Sequence, residues 1–179
     1  HKNGVGVSGV ASIPNATLSG SWFECLKGIG SMDVDKASKF LQYYGIDGLG
    51  YNSEFYNGNS VVKGVRTFHA ALVKKMKPVN PVFENFWYDG TNDYGQVTFD
   101  GGLSNHNKET FGDKDNVRTS LFFNYNWNRG QLGPSVTFAE QLGRDPLDIY
   151  CGVNMQGGEP RGTSWSLLPD QRVSIGLWG

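Results

Sequence analysis

Two stretches of the chain carry apolar residues at helical spacing. In the first, Val34, Ala37, Phe40 and Leu41 fall on one face, Asp33 stands where an N-cap accepts from free N–H groups, and Gly45 supplies a left-handed stop. In the second, Val61, Val65, Phe68, Leu72 and Met76 follow Ser60, a candidate cap. Lys74, Lys75 and Lys77 close that helix, where positive charge suits its dipole, and Pro78 and Pro81 end it. A third helix is predicted over 135–142, stopped by Gly143. Between these the pattern changes to short apolar runs, which predict strands over 5–10, 46–51, 82–88, 101–103, 120–125, 148–153 and 173–177. His1 to Gly4 reads as the last turn of a helix that lies before residue 1. The Gly/Ser-rich stretch 14–30, which holds Trp22 and Phe23, is predicted to be a functional loop.

Strands that alternate with helices build right-handed β/α units on a parallel sheet. A doubly wound sheet and an eight-stranded barrel both satisfy that rule. No Gly-rich phosphate fingerprint follows any predicted strand, so the usual reason to choose a nucleotide-binding sheet is missing. Polar and aromatic residues instead gather at strand C-termini: Asn52 with Glu54, Tyr88 with Asp89, Asn124 with Trp127, Asn154 with Gln156. A (β/α)8 TIM barrel keeps its active site at that end. The expected fold is therefore α/β, a TIM barrel to which this chain contributes roughly six β/α units.

Composition narrows the partner. A net charge of −1 without a Lys/Arg cluster argues against a nucleic acid held through its phosphates. An aromatic content of 13 %, much of it beside Asn, Asp or Gly, suits an uncharged polymer such as a glycan, whose rings stack on aromatic faces. Cys25 and Cys151 lack metal-ligand spacing and read as free thiols, and His69 and His106 have no ligand-spaced partners. No metal and no cofactor is expected. No apolar run is long enough to cross a bilayer.

The chemistry concentrates in Asp47-Gly48-Leu49-Gly50-Tyr51-Asn52-Ser53-Glu54. In an extended chain residues i and i+2 project from one face, so Asn52 and Glu54 enter the same pocket. A carboxylate with an amide neighbour fits acid/base work on a substrate that bears an amide. Arg144 and Asp148 are expected to pair structurally near a helix-to-strand junction.

Four segments occur in order: Tyr43-Tyr44-Gly45-Ile46-Asp47-Gly48, Asn52-Ser53-Glu54, Trp87-Tyr88-Asp89 and Gly143-Arg144-Asp145-Pro146-Leu147-Asp148-Ile149-Tyr150. Together they resemble glycoside hydrolase family 85, the endo-β-N-acetylglucosaminidases that cut between the two core N-acetylglucosamines of N-glycans on a (β/α)8 barrel. The resemblance implies that Glu54 is the general acid/base, that Asn52 holds the 2-acetamido group, and that Tyr88 is the active-site tyrosine. It implies that Trp127 lies beside the bound sugar. Three departures stand out. Phe99 occupies a place where the family pattern has tryptophan, and Ser12-Ile13-Pro14-Asn15 replaces a strand end richer in aromatics. The third is that residues 1–179 cover about strands 3 to 8, an incomplete catalytic barrel whose first two β/α units and any accessory modules come from elsewhere in the gene product or from another chain.

A retaining glycosidase ordinarily needs two carboxylates. Asp47, Glu84 and Asp89 are candidates for the second, but none shares the Glu54 motif. Substrate-assisted catalysis removes the need: the substrate's acetamide oxygen attacks the anomeric carbon to give an oxazoline, while Glu54 handles protons. Glu54 is expected to sit among Tyr51, Trp87 and Tyr88. Trp87, Phe99, Asn124, Trp22, Gln156 and Trp178 join Trp127 as expected substrate-binding residues. The alternatives are a glycan-binding barrel without turnover and a hexosaminidase acting on chitooligosaccharides. The expected partner is an N-glycan or glycoprotein, with no nucleic acid and no membrane span, in a secreted, periplasmic or cell-surface setting, the cytoplasm being the alternative.

Overall fold

The computed structural model describes residues 6–17, 19–156 and 171–178. Among these, six strands form one sheet in the order β1 to β6: Ser8–Thr17, Gly48–Tyr56, Phe86–Tyr88, Ser120–Phe123, Ile149–Asn154 and Ser174–Trp178. Every neighbouring pair is parallel. Sequential parallel order without a reversal is the arrangement of a barrel wall, and a doubly wound sheet would need a switch point.

Helices α1 (Gly20–Gly30) and α2 (Val34–Tyr44) follow β1, α3 (Asn59–Met76) follows β2, a short α4 (Lys108–Phe111) follows β3, and α5 (Arg129–Gln141) follows β4. They cover the outer face of the sheet. Tyr51, Phe55, Trp87, Leu121, Phe123, Ile149 and Cys151 point outward into one core with Leu26 of α1, Val61, Val62 and Val65 of α3, and Leu132 and Ala139 of α5. A second cluster joins Leu41 of α2 to Phe68, Leu72, Val73 and Met76 of α3. Burial of these side chains is what drives the helices onto the sheet.

The signals around α2 operate as expected: Asp33 Oδ1 accepts from the Lys36 N–H at 3.0 Å, and Gly45 has φ 65°. The loop expected over 14–30 is corrected. β1 runs on to Thr17, and α1 occupies most of the rest. Phe23, Leu26 and Ile29 form its core-facing stripe, and Gly30 is present for a close approach, since a Cβ there would stand 2.8 Å from the Gly64 carbonyl carbon of α3. The strand expected at 101–103 is also absent; Gly101 has φ 62°, and the segment is a turn anchored by side chains. β3 is confined to three residues, and Val82, expected to open it, is exposed. β2 runs five residues past the expected end at Tyr51, to Tyr56, which places Asn52 and Glu54 within the strand. The helix turn expected at His1 to Gly4 lies outside the described residues.

Candidate active site

Side chains of even number on β2 to β6 face away from the helices, toward the concave side. There they line a cavity of about 280 Å³ whose wall includes Asn52, Phe86, Tyr88, Phe122, Tyr125, Tyr150 and Trp178. Glycines 50, 152 and 176 make room for the rings: a Cβ on Gly152 would meet Phe122 at 2.9 Å and Tyr125 at 3.2 Å.

Asn52 is half-buried, and its side-chain amide donates to Ser12 Oγ of β1 at 3.4 Å. Glu54, two residues further, is half-buried on the same side, beside Gly90, where a Cβ would stand 3.2 Å from Glu54 Cγ. The Tyr88 hydroxyl donates to Asn124 Oδ1 at 2.8 Å. Burial holds the Tyr88 hydroxyl well above its ordinary pKa, and the charges of Tyr125, Asp89 and Glu54 add to that. Tyr125 is raised for the same reasons, burial first and Glu54 second. Glu54 is thus within electrostatic reach of two neutral phenols, both able to donate hydrogen bonds at neutral pH.

Among the described strands Glu54 is the one carboxylate. The other carboxylates considered from sequence are engaged elsewhere. Asp47 precedes β2 and accepts from the Val7 N–H and the Asn80 amide, both at 2.8 Å. Glu84 precedes β3, where Ser120 Oγ and the Tyr150 hydroxyl, the latter at 3.0 Å, donate to it. Both lie at the N-terminal end of the strands, away from Glu54. Asp89 is buried just past β3 and accepts from the Gly101 N–H at 2.7 Å and the Asn124 N–H at 2.9 Å. Its carboxyl is pushed up to about 7 by burial, against the opposing pull of those two bonds. Among the described residues the site therefore offers one strand carboxyl group for proton transfer, amides for positioning, and aromatic walls.

Several expected site residues stand elsewhere. Trp87 is outward, its indole N–H donating to the Thr91 carbonyl at 2.9 Å, and it stacks near Tyr51, with ring centroids 5.4 Å apart. Tyr51 and Trp87 are therefore across the sheet from Glu54, and of the three expected neighbours only Tyr88 shares its side. Trp127 is buried, and its indole N–H donates to the Gly152 carbonyl at 2.9 Å. Neither tryptophan lines the cavity. Trp22 lies exposed on α1, and Gln156 is exposed after β5. Phe99, with φ 47°, packs edge-on to Tyr88 at 6.0 Å, Asn124 holds the Tyr88 hydroxyl, and Trp178 packs against Phe122 at 6.5 Å. Tyr125, Phe122, Phe86 and Tyr150 were not singled out from the sequence as site residues. Strand alternation marks Phe86, Phe122 and Tyr150, which share the parity of Tyr88. Cys25 and Cys151 are free thiols. Among the described residues no group of three or more His, Cys, Asp or Glu could hold a metal ion.

The sequence profile of glycosyl hydrolase family 85 matches residues 1–179. The mouse and human proteins named cytosolic endo-beta-N-acetylglucosaminidase are each 26% identical over 122 residues, which is 68% of this chain and 16% of theirs. The solved glycoside hydrolase domain of Endo-D from Streptococcus pneumoniae R6 superposes with a TM-score of 0.80 at 24% identity, over 97% of this chain and 30% of that one. At that identity the likeness shows the fold, and the six-stranded wall corresponds to part of a TIM barrel. The chain spans a small part of the relatives that it matches.

Proposed function

Because the chain belongs to glycosyl hydrolase family 85, we propose that it carries the acid/base machinery of an endo-β-N-acetylglucosaminidase cleaving the β-1,4 bond of the N,N'-diacetylchitobiose core of N-glycans. The observation that carries this reading is the placement of Asn52 and Glu54 on one face of β2, with no second carboxylate in the described strands. A mechanism with a protein nucleophile requires a partner carboxylate about 5 Å away. Substrate-assisted attack does not.

In this reading the carbonyl oxygen of the substrate's 2-acetamido group attacks the anomeric carbon as the glycosidic bond breaks. Glu54 gives its proton to the departing oxygen, and the oxazoline ring forms as its oxazolinium ion, the acetamide nitrogen keeping its proton. Water then adds to the anomeric carbon, its proton passes to Glu54, and the ring reopens to the acetamide. Asn52, with Ser12 accepting one of its amide protons, orients the acetamide. Tyr88, kept neutral by burial, directs its hydroxyl dipole at the charge that develops on that group. Phe99, Tyr125 and Trp178 form the apolar surfaces against which sugar rings pack. The remaining β/α units of the barrel come from the rest of the gene product or from another chain. Since the mouse and human relatives are named cytosolic, the reading holds in the cytosol as well as in the secreted or periplasmic setting expected from the sequence.

The test is mass spectrometry of a defined high-mannose glycopeptide incubated with the whole protein and with Glu54→Gln and Asn52→Ala. The expected product is a peptide that keeps a single N-acetylglucosamine, lost in Glu54→Gln and strongly reduced in Asn52→Ala. Turnover surviving in Glu54→Gln refutes the mechanism. Binding of intact glycopeptide without cleavage by the unmodified protein establishes a lectin-like barrel instead.

A further inference from the structure

We propose that Asp89 is a positioning residue for the Tyr88 hydroxyl, acting through Asn124 and the Phe99–Gly101 turn, an inference that rests on the catalytic reading of Tyr88 above. One carboxylate ties together the residue that accepts from the Tyr88 hydroxyl and the turn that carries Phe99, one of the two rings packed against Tyr88. Oδ1 accepts from the backbone N–H of Asn124, whose side-chain oxygen accepts from Tyr88 at 2.8 Å. Oδ2 accepts from the N–H of Gly101 at 2.7 Å, two residues after Phe99, whose ring packs edge-on to Tyr88 at 6.0 Å. The Asp89 N–H donates to the Phe122 carbonyl at 3.0 Å, so the residue is itself fixed to the end of β4.

The turn that Asp89 holds does not sit in a relaxed backbone. Phe99 has φ 47° and Gly101 φ 62°, both left-handed, and Phe99 pays a steric cost there that a side-chain anchor can offset. Asn126 Nδ2 donates to the Phe99 carbonyl at 3.1 Å and Gln131 Nε2 to the Asp100 carbonyl at 2.6 Å, so the carbonyls of the turn are anchored from the β4–α5 connection and from α5. The N–H group at Gly101 is anchored by Asp89. A carboxyl group presents one acceptor oxygen to each of two convergent N–H donors; an asparagine presents one oxygen and an amide N–H₂, so one contact becomes donor against donor. Asn124 and Phe99 then lose a common reference point, and the Tyr88 hydroxyl loses its fixed direction. Asp89 does not face the cavity and touches no substrate.

The experiment uses the whole protein with Asp89→Asn, Tyr88→Phe and the double variant, assayed on the high-mannose glycopeptide. Expected are a kcat lowered about tenfold by Asp89→Asn with KM within about twofold, and no further loss when the same substitution is made in Tyr88→Phe. Equal losses in both backgrounds overturn the inference. A second readout does not depend on turnover: 3-fluorotyrosine incorporation, the Tyr88 resonance being identified by its loss in Tyr88→Phe. In Asp89→Asn that ¹⁹F signal is expected to move toward its position in Asn124→Ala, where the hydroxyl has lost its acceptor. A signal that stays at the unmodified position overturns the inference whatever the kinetics, and Asp89→Ser, which keeps one acceptor, serves the same comparison where the asparagine variant does not fold. An unmodified protein without cleavage activity sinks the proposed function alone, since the fluorine signal still decides the role of Asp89.

Discussion

The Phe122 ring occupies the space that any side chain on Gly176 would need: an added Cβ would stand 2.8 Å from Phe122 Cζ and closer still to the ring edge. This glycine on β6 therefore sets where an aromatic wall of the cavity stands. Gly176→Ala is expected to push the ring toward the cavity, costing about 1–3 kcal/mol of stability as an overpacked site does. KM for a glycan substrate should rise with it. Denaturant unfolding and steady-state kinetics check the two effects separately.

Trp127 is expected to matter for stability and not for substrate. Trp127→Phe keeps most of the buried area but leaves the Gly152 carbonyl without its indole donor, a loss of about 1–2 kcal/mol. A KM changed by more than a small factor would show that the indole reaches the sugar.

Arg144 gathers several partners at once. Its guanidinium pairs with Asp148 at 2.8 Å, donates to the carbonyls of Phe111 and Thr119, and lies 4.1 Å over the Phe111 ring. The pairing read from the sequence is present, and it is the smaller part of the role. Removing the guanidinium strands a half-buried carboxylate and two buried carbonyls, so Arg144→Ala should cost about 3 kcal/mol or more. Lysine should not restore the loss, because a point donor cannot span the fork. The midpoint of urea unfolding measures both.

His69 and Asp89 respond to acid in opposite senses. His69 is buried, with neither ring nitrogen hydrogen-bonded, and burial lowers its pKa from 6.5 to about 3. The unfolded chain binds more protons between those values, so His69 removes stability as pH falls below 6.5 toward 3. Burial raises Asp89 from 3.8 to about 7, so the folded chain binds more protons there, and its contribution to stability declines as pH rises from 3.8 to 7. Relative to the unmodified protein, His69→Leu should gain stability progressively on acidification through this window, and Asp89→Asn should lose it. Unfolding midpoints measured at several pH values decide; parallel curves for His69→Leu and the unmodified protein would show that His69 is not neutral and buried.

What the sequence disclosed was local or periodic. α2 was legible because Asp33 and Gly45 carry its boundaries and Val34, Ala37 and Leu41 its inner face. α1 was not, because Gly20, Gly28 and Gly30 read as loop composition, while the reason for Gly30 is a contact with Gly64 that no local window contains. The pair Asn52 and Glu54 followed from strand alternation. The same rule, applied further, separates Trp87 from Tyr88, since adjacent strand residues cannot share a face. Trp127 lies beyond β4, where alternation no longer applies, and its burial depends on Gly152, a residue of the next strand. Residue type announced aromatic walls; which rings form them is decided by pairing across strands.

The connection between β3 and α4 is long, yet it is fastened along its course. Thr91 Oγ1 both accepts from the Phe55 N–H and donates to the Phe55 carbonyl, at 2.8 and 3.1 Å. Asp93 accepts from Arg66, Glu109 and Thr110, and Gly95 is seated against the backbone of Gly58 and Asn59. A molecule that approaches Glu54 from this side meets a rim tied down by hydrogen bonds at Thr91 and Asp93 and by the close seat of Gly95, so the outline of the entrance is set by α3 and β2 as much as by the connection itself.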